Sequence, residues 1–127
     1  ERVAINLMDA RIPDNTGFRP VDQPIVPGGP AAYFATLPVR RMAENIQKAG
    51  LPAQISNTAG TYVCNSLLYT LLHTAAMEYP ALLGGFIHVP YALEQLPGKP
   101  EGTPGLALQQ ITQGLSCAIE AIAEAWS

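Results

Sequence analysis

Cys64 is one of only two cysteines in this 127-residue chain. It stands where Thr58-Ala59-Gly60-Thr61-Tyr62-Val63-Cys64-Asn65 runs into the apolar stretch Leu67-Leu68-Tyr69-Thr70-Leu71-Leu72. The pattern puts it in the first turn of a helix that follows a glycine-bearing loop. At such a junction, backbone N–H groups without partners and the positive end of the helix dipole favour thiolate over thiol, and thiolate is the nucleophilic form. Residue type alone makes a free cysteine a small buried hydrophobe. Position argues for a nucleophile.

A thiol hydrolase also needs a base and a group to orient it. The chain has two histidines. His73 follows Cys64 by nine residues on the same helix, and nine steps of about 100° turn it to the opposite face. It is therefore expected to be a packing or surface residue. His88 lies in Gly84-Gly85-Phe86-Ile87-His88-Val89-Pro90, at the carboxyl end of an expected strand, where sites gather in parallel α/β sheets. Spacing leaves two readings open for it, a catalytic base or a satisfied core histidine. Cys117 falls mid-helix between Ser116 and Ala118 with no charged neighbour, which suits a core or interface position.

The elements that must position these groups can be read from periodicity. Residues 2–8 read as a strand that is apolar on both faces. Pro13 to Pro30 holds five prolines and three glycines and must be an ordered irregular loop. Val39, Met42, Ala43 and Ile46 repeat at helical spacing, with Gly50 as the stop. Residues 53–56 and 83–89 read as strands, and a helix is expected from about Val63 to Glu78. After a second flexible stretch, 96–105, a last helix starts near Leu106, with Ile111, Leu115, Ala118, Ile119, Ile122 and Trp126 as its buried stripe. This alternation predicts one α/β domain over 1–127, built on a parallel sheet.

Composition narrows the function. Hydrophobic residues make up 48% and charged residues 13%, a low charge that suggests part of the surface faces a subunit or a missing segment. Seven basic against ten acidic residues give a net charge of −3, and Arg40-Arg41 is the one basic doublet, so nucleic acid is not an expected partner. No apolar run reaches membrane-spanning length. No spacing of Cys and His suits a metal, and no cofactor motif, phosphate loop or serine elbow occurs. Two cysteines in predicted helices read as reduced, which implies a cytoplasmic compartment.

Five blocks carry a resemblance: Glu1-Arg2-Val3-Ala4-Ile5-Asn6-Leu7, Ala10-Arg11-Ile12-Pro13-Asp14-Asn15, Gly28-Gly29-Pro30-Ala31-Ala32-Tyr33, Thr58 to Asn65, and Gly85 to Pro90. From Glu1 to about Tyr91 the sequence closely resembles the pyroglutamyl-peptidase I family of cysteine peptidases. The resemblance implies a three-layer α/β/α sandwich around a mostly parallel twisted sheet, and hydrolysis of N-terminal pyroglutamyl residues from peptides. It also implies a homotetramer or dimer. Matched motif to motif, it makes Cys64 the nucleophile, His88 the base and Glu1 the acid that orients it. Arg11, with the Cys64 N–H, would form the oxyanion hole, and Ile12, Tyr62 and Val63 would line the lactam pocket. The family's preceding strand, glycine loop, helix and further strand have no counterpart here, so the chain reads as the C-terminal portion of such a domain. The rival expectation is a truncated, non-catalytic α/β module or pseudo-enzyme serving as an assembly subunit. A different thiol hydrolase, such as an amidase, would share the same three residues.

Overall fold

The structure, a computed structural model, describes residues 1–127. Its elements run in the order β1 Val3–Ile5, β2 Ala32–Phe34, α1 Val39–Lys48, α2 Val63–Glu78, β3 Tyr91–Ala92, a 3-10 turn Leu93–Gln95, β4 Gly105–Leu106 and α3 Leu108–Trp126. The chain is α/β, with two compact units: Glu1–Leu37 with Ser56–Phe86, and Pro38–Ile55 with Ile87–Ser127. No helix is long and apolar enough to cross a membrane.

In the first unit β1 and β2 pair antiparallel, with Ala4 opposite Tyr33. The core is built from Ala4, Leu68, Tyr69 and Leu72, with Ile25, Val26, Tyr33 and Phe86 packed against it. Helix α2 starts after Gly60, whose φ of 76° is a left-handed conformation that a side chain would strain. The proline-rich loop is irregular but ordered. Met8 bridges Gln23, the Asn6 amide donates to Val26 O at 2.8 Å, and its Oδ1 accepts from Val26 N at 2.9 Å.

The expected strand at 83–89 has no ladder. Gly84 N–H donates to the Thr36 side chain at 2.8 Å, while Gly84 O accepts from the Thr36 N–H at 3.0 Å. A side chain has taken the donor that a neighbouring strand would use. Residues 53–56 likewise make no ladder; Ser56 O accepts a single bond from Arg2 N–H at 2.8 Å. So the regular pair in this unit is antiparallel, and the parallel pair of the chain is β3 with β4 in the second unit, Tyr91 opposite Gly105.

The second unit packs α1 on α3. Met42 and Leu51 are buried, and from α3 the buried residues are Gly114, Ala118 and Ala121. The expected stripe on α3 is thereby corrected. Ala118 belongs to it, but Ile119 and Trp126 are 65% and 66% exposed. Close approach to α1 selects small side chains rather than the most hydrophobic ones.

Candidate active site

The thiol of Cys64 sits in the second residue of α2, half-buried. The first helical bond is Ser66 N–H to Tyr62 O, so the N–H groups of Val63, Cys64 and Asn65 have no partner within the helix. No acidic residue lies in this first turn, and no side chain caps it. The helix therefore presents its positive end and free donors at the thiol.

The loop that leads into α2 is bound to the segment following β1. Asp9 N–H donates to Thr61 O at 3.0 Å, and the Thr61 hydroxyl donates to Asp9 O at 2.8 Å. Two residues beyond Asp9 is Arg11. The backbone leading to it is fixed by Ala10 N–H to Pro20 O at 2.9 Å and by Arg19 Nε donating to Ala10 O at 3.1 Å. Ile12 and Val63 are 65% and 60% exposed, and Tyr62 is half-buried. Glu1 is placed by its nitrogen, which donates to Phe86 O at 2.8 Å. Thus Glu1, Arg11, Ile12, Tyr62, Val63 and Cys64 all belong to the first unit. His88 belongs to the second and is exposed.

His73 is accounted for by packing, as its helical phase predicts. Its Nδ1 lies 2.7 Å from the Tyr33 hydroxyl, and its ring stacks on Tyr69 with centroids 6.0 Å apart. Tyr33 and Tyr69 meet edge to face at 5.1 Å. The Tyr69 hydroxyl donates to Pro30 O at 2.6 Å. Burial pushes the Tyr69 phenol above its ordinary range, and the neighbouring Tyr33 adds to that rise.

The residue that sequence reasoning passed over is Asn65, next to the thiol and only 1% exposed. Its Oδ1 accepts from Ile5 N–H at 3.0 Å, and its Nδ2 donates to Ile5 O at 2.9 Å and to Leu7 O at 3.3 Å. A signal for it existed. Position 65 is in helical phase with Leu68, Tyr69 and Leu72, so an amide there lies on the core face and must find partners.

The sequence pattern of the pyroglutamyl peptidase family matches residues 1–125. A pyrrolidone-carboxylate peptidase from Levilactobacillus brevis is 57% identical over 122 residues, covering 96% of this chain and 59% of that protein. Pyrrolidone-carboxylate peptidase 1 of Photorhabdus laumondii is 54% identical over 124 residues, covering 94% of this chain and 56% of that one. The crystal structure of pyroglutamyl peptidase I from Bacillus amyloliquefaciens superposes with a TM-score of 0.90 at 50% identity, covering 96% of this chain and 57% of that chain. A mutant pyrrolidone carboxyl peptidase from Pyrococcus furiosus gives a TM-score of 0.90 at 42% identity, covering 98% and 61%. The chain therefore spans less than two thirds of the length of these relatives. With its thiol at the head of α2 and near-complete coverage by the family pattern, the chain belongs to the pyroglutamyl peptidase family.

Proposed function

We propose that this chain carries the nucleophile of a cysteine exopeptidase that removes the N-terminal pyroglutamyl residue from peptides. The observation that carries the reading is the placement of Cys64 in the first turn of α2, beside a loop bound to the segment that leads to Arg11. Kinship with pyrrolidone-carboxylate peptidases supplies the substrate class.

The roles follow from the chemistry. The Cys64 thiolate attacks the pyroglutamyl carbonyl carbon, and the electron pair moves onto its oxygen. The Cys64 N–H and the Arg11 guanidinium stabilise that oxyanion. Collapse breaks the C–N bond, and His88, oriented by Glu1, gives the proton to the leaving amine. Water, deprotonated by His88, then cleaves the thioester and releases pyroglutamate. The substrate's terminal nitrogen is a lactam amide without charge, so its pocket calls for apolar walls and backbone partners rather than a carboxylate. Ile12, Tyr62 and Val63 suit those walls. Analogues lacking the lactam would be rejected because buried polar groups would lose their partners. We read residues 1–127 as part of one α/β domain that acts as a homo-oligomer in the cytoplasm. The two free cysteines and the exposed apolar side chains support that setting.

The test is release of a reporter amine from a pyroglutamyl substrate by the protein that carries this chain. Cys64→Ser should lower turnover by about a thousandfold or more. His88→Ala should share the loss and His73→Ala should not. Full turnover by the Cys64 variant ends the proposal.

A further inference from the structure

Ile5 sits in β1 with β2 on one side. Its N–H and C=O are both served by one side chain, the amide of Asn65. An amide carries a donor and an acceptor in the geometry of a peptide group, so Asn65 treats Ile5 as a neighbouring strand would. The same Nδ2 reaches on to Leu7 O. Five bonds therefore join residues 5–9 to residues 61–65, and three of them belong to Asn65; the other two belong to Thr61.

The consequence concerns the thiol. Residues 1–11 bring Glu1 at one end and Arg11 at the other, and residue 65 follows Cys64 directly. A buried amide with all its bonds to one short segment allows one register of that segment along the head of α2. A one-residue slip would take the Asn65 partner from the half-buried Ile5 N–H and Leu7 O and leave Ile5 O with only the Leu7 N–H, which is costly. We propose that Asn65 is the positioning residue of this site. It fixes the register of the Glu1-to-Arg11 segment against the turn that carries Cys64, while touching no reacting atom itself.

This inference rests on the peptidase reading for what the thiol does, and on geometry for how the thiol is held. The test compares Asn65→Ala with Leu68→Ala, a core truncation one turn further along α2 that removes no hydrogen bond. Both are assayed at a temperature where each remains folded by circular dichroism. Two rates are read: iodoacetamide alkylation of Cys64 relative to Cys117, and reporter turnover. Asn65→Ala should slow Cys64 alkylation about tenfold and lower kcat by about ten- to a hundredfold, with KM within about threefold. Leu68→Ala should leave the alkylation ratio and kcat within about threefold of wild type, although it loses stability. If Asn65→Ala does not fold, Asn65→Ser keeps an uncharged donor and acceptor at the position and should show a smaller loss of the same kind. Equal effects from the Asn65 and Leu68 variants overturn the positioning role. A wild-type protein that alkylates readily at Cys64 but releases no amine overturns the peptidase reading instead, and the alkylation ratio still decides the role of Asn65.

Discussion

Helix α2 buries Asn65, Leu68, Tyr69, Leu72 and Ala75, whereas α3 buries only Gly114, Ala118 and Ala121. The first set is mostly large, and two of its members, Asn65 and Tyr69, carry polar tips. Asn65 names Ile5 and Leu7 as its partners, and Tyr69 names Pro30, each by a directed bond. The second set consists of small residues that let α1 approach without selecting a partner atom. Two helices of similar length are thus buried by different means. One is fixed atom by atom, next to the candidate nucleophile, and the other is fixed by shape.

The sharpest way to break that contrast is to truncate one large apolar residue from each helix. Leu68 is fully buried, so Leu68→Ala should cost about 2–5 kcal/mol, from lost transfer energy plus the cavity left behind. Ile119 is 65% exposed, and Ile119→Ala should stay within about 0.5 kcal/mol of wild type. Urea unfolding followed by circular dichroism measures both. Comparable losses would mean that the apolar face of α3 is covered in solution and that the contrast drawn here is false.

A single type of substitution should change sign between the units. At Gly29 an added Cβ would stand 2.6 Å from the Tyr69 hydroxyl and 3.1 Å from Val26 O. That hydroxyl is tethered to Pro30 O and cannot swing aside freely. Gly29→Ala should therefore cost about 1–3 kcal/mol. At Gly114 the nearest atoms are Leu51 Cδ1 at 3.7 Å and Ile46 Cγ2 at 3.8 Å, ordinary contact distances. In mid-helix the lower backbone freedom of alanine then dominates, and Gly114→Ala should gain about 0.5–1 kcal/mol. Loss at both positions would show that α1 and α3 are packed as tightly as the α2 core.

The same contrast explains what could be read beforehand. Helices α1 and α2 were legible because their stops are local: Gly50 at φ 81° after one, and Pro80 after the other. The phase that separated His73 from Cys64 is also local geometry. The buried face of α3 was not legible, because hydropathy favours Ile119 and Trp126 while packing on α1 selects Gly114 and Ala121. The strand expected at 83–89 failed for a related reason. A short apolar run favours an extended chain, but a ladder needs free partners, and the Thr36 side chain occupies the Gly84 N–H. Asn65 could be placed on the core face from its phase. Its partners at Ile5 and Leu7 could not, because a bond across sixty residues leaves no trace in local pattern.

The smallest expected effect probes whether the directed bonds of the α2 core matter beyond packing. Tyr69→Phe keeps the ring that meets Tyr33 and His73 and removes only the bond to Pro30 O. At neutral pH it should cost about 1 kcal/mol. The dependence on pH carries the sharper information. Burial raises the folded phenol above its ordinary range, so the folded state holds its proton after the unfolded chain has released one. Stability from this group is therefore full below the unfolded value near 10 and falls as pH rises beyond it. The phenylalanine variant lacks that term, while the other tyrosines are common to both proteins and cancel in the difference. The gap between wild type and Tyr69→Phe should thus narrow between about pH 9 and about pH 11. A gap that stays constant over that range would mean that the Tyr69 hydroxyl ionises as freely in the fold as outside it. The directed character of the α2 core would then rest on Asn65 alone.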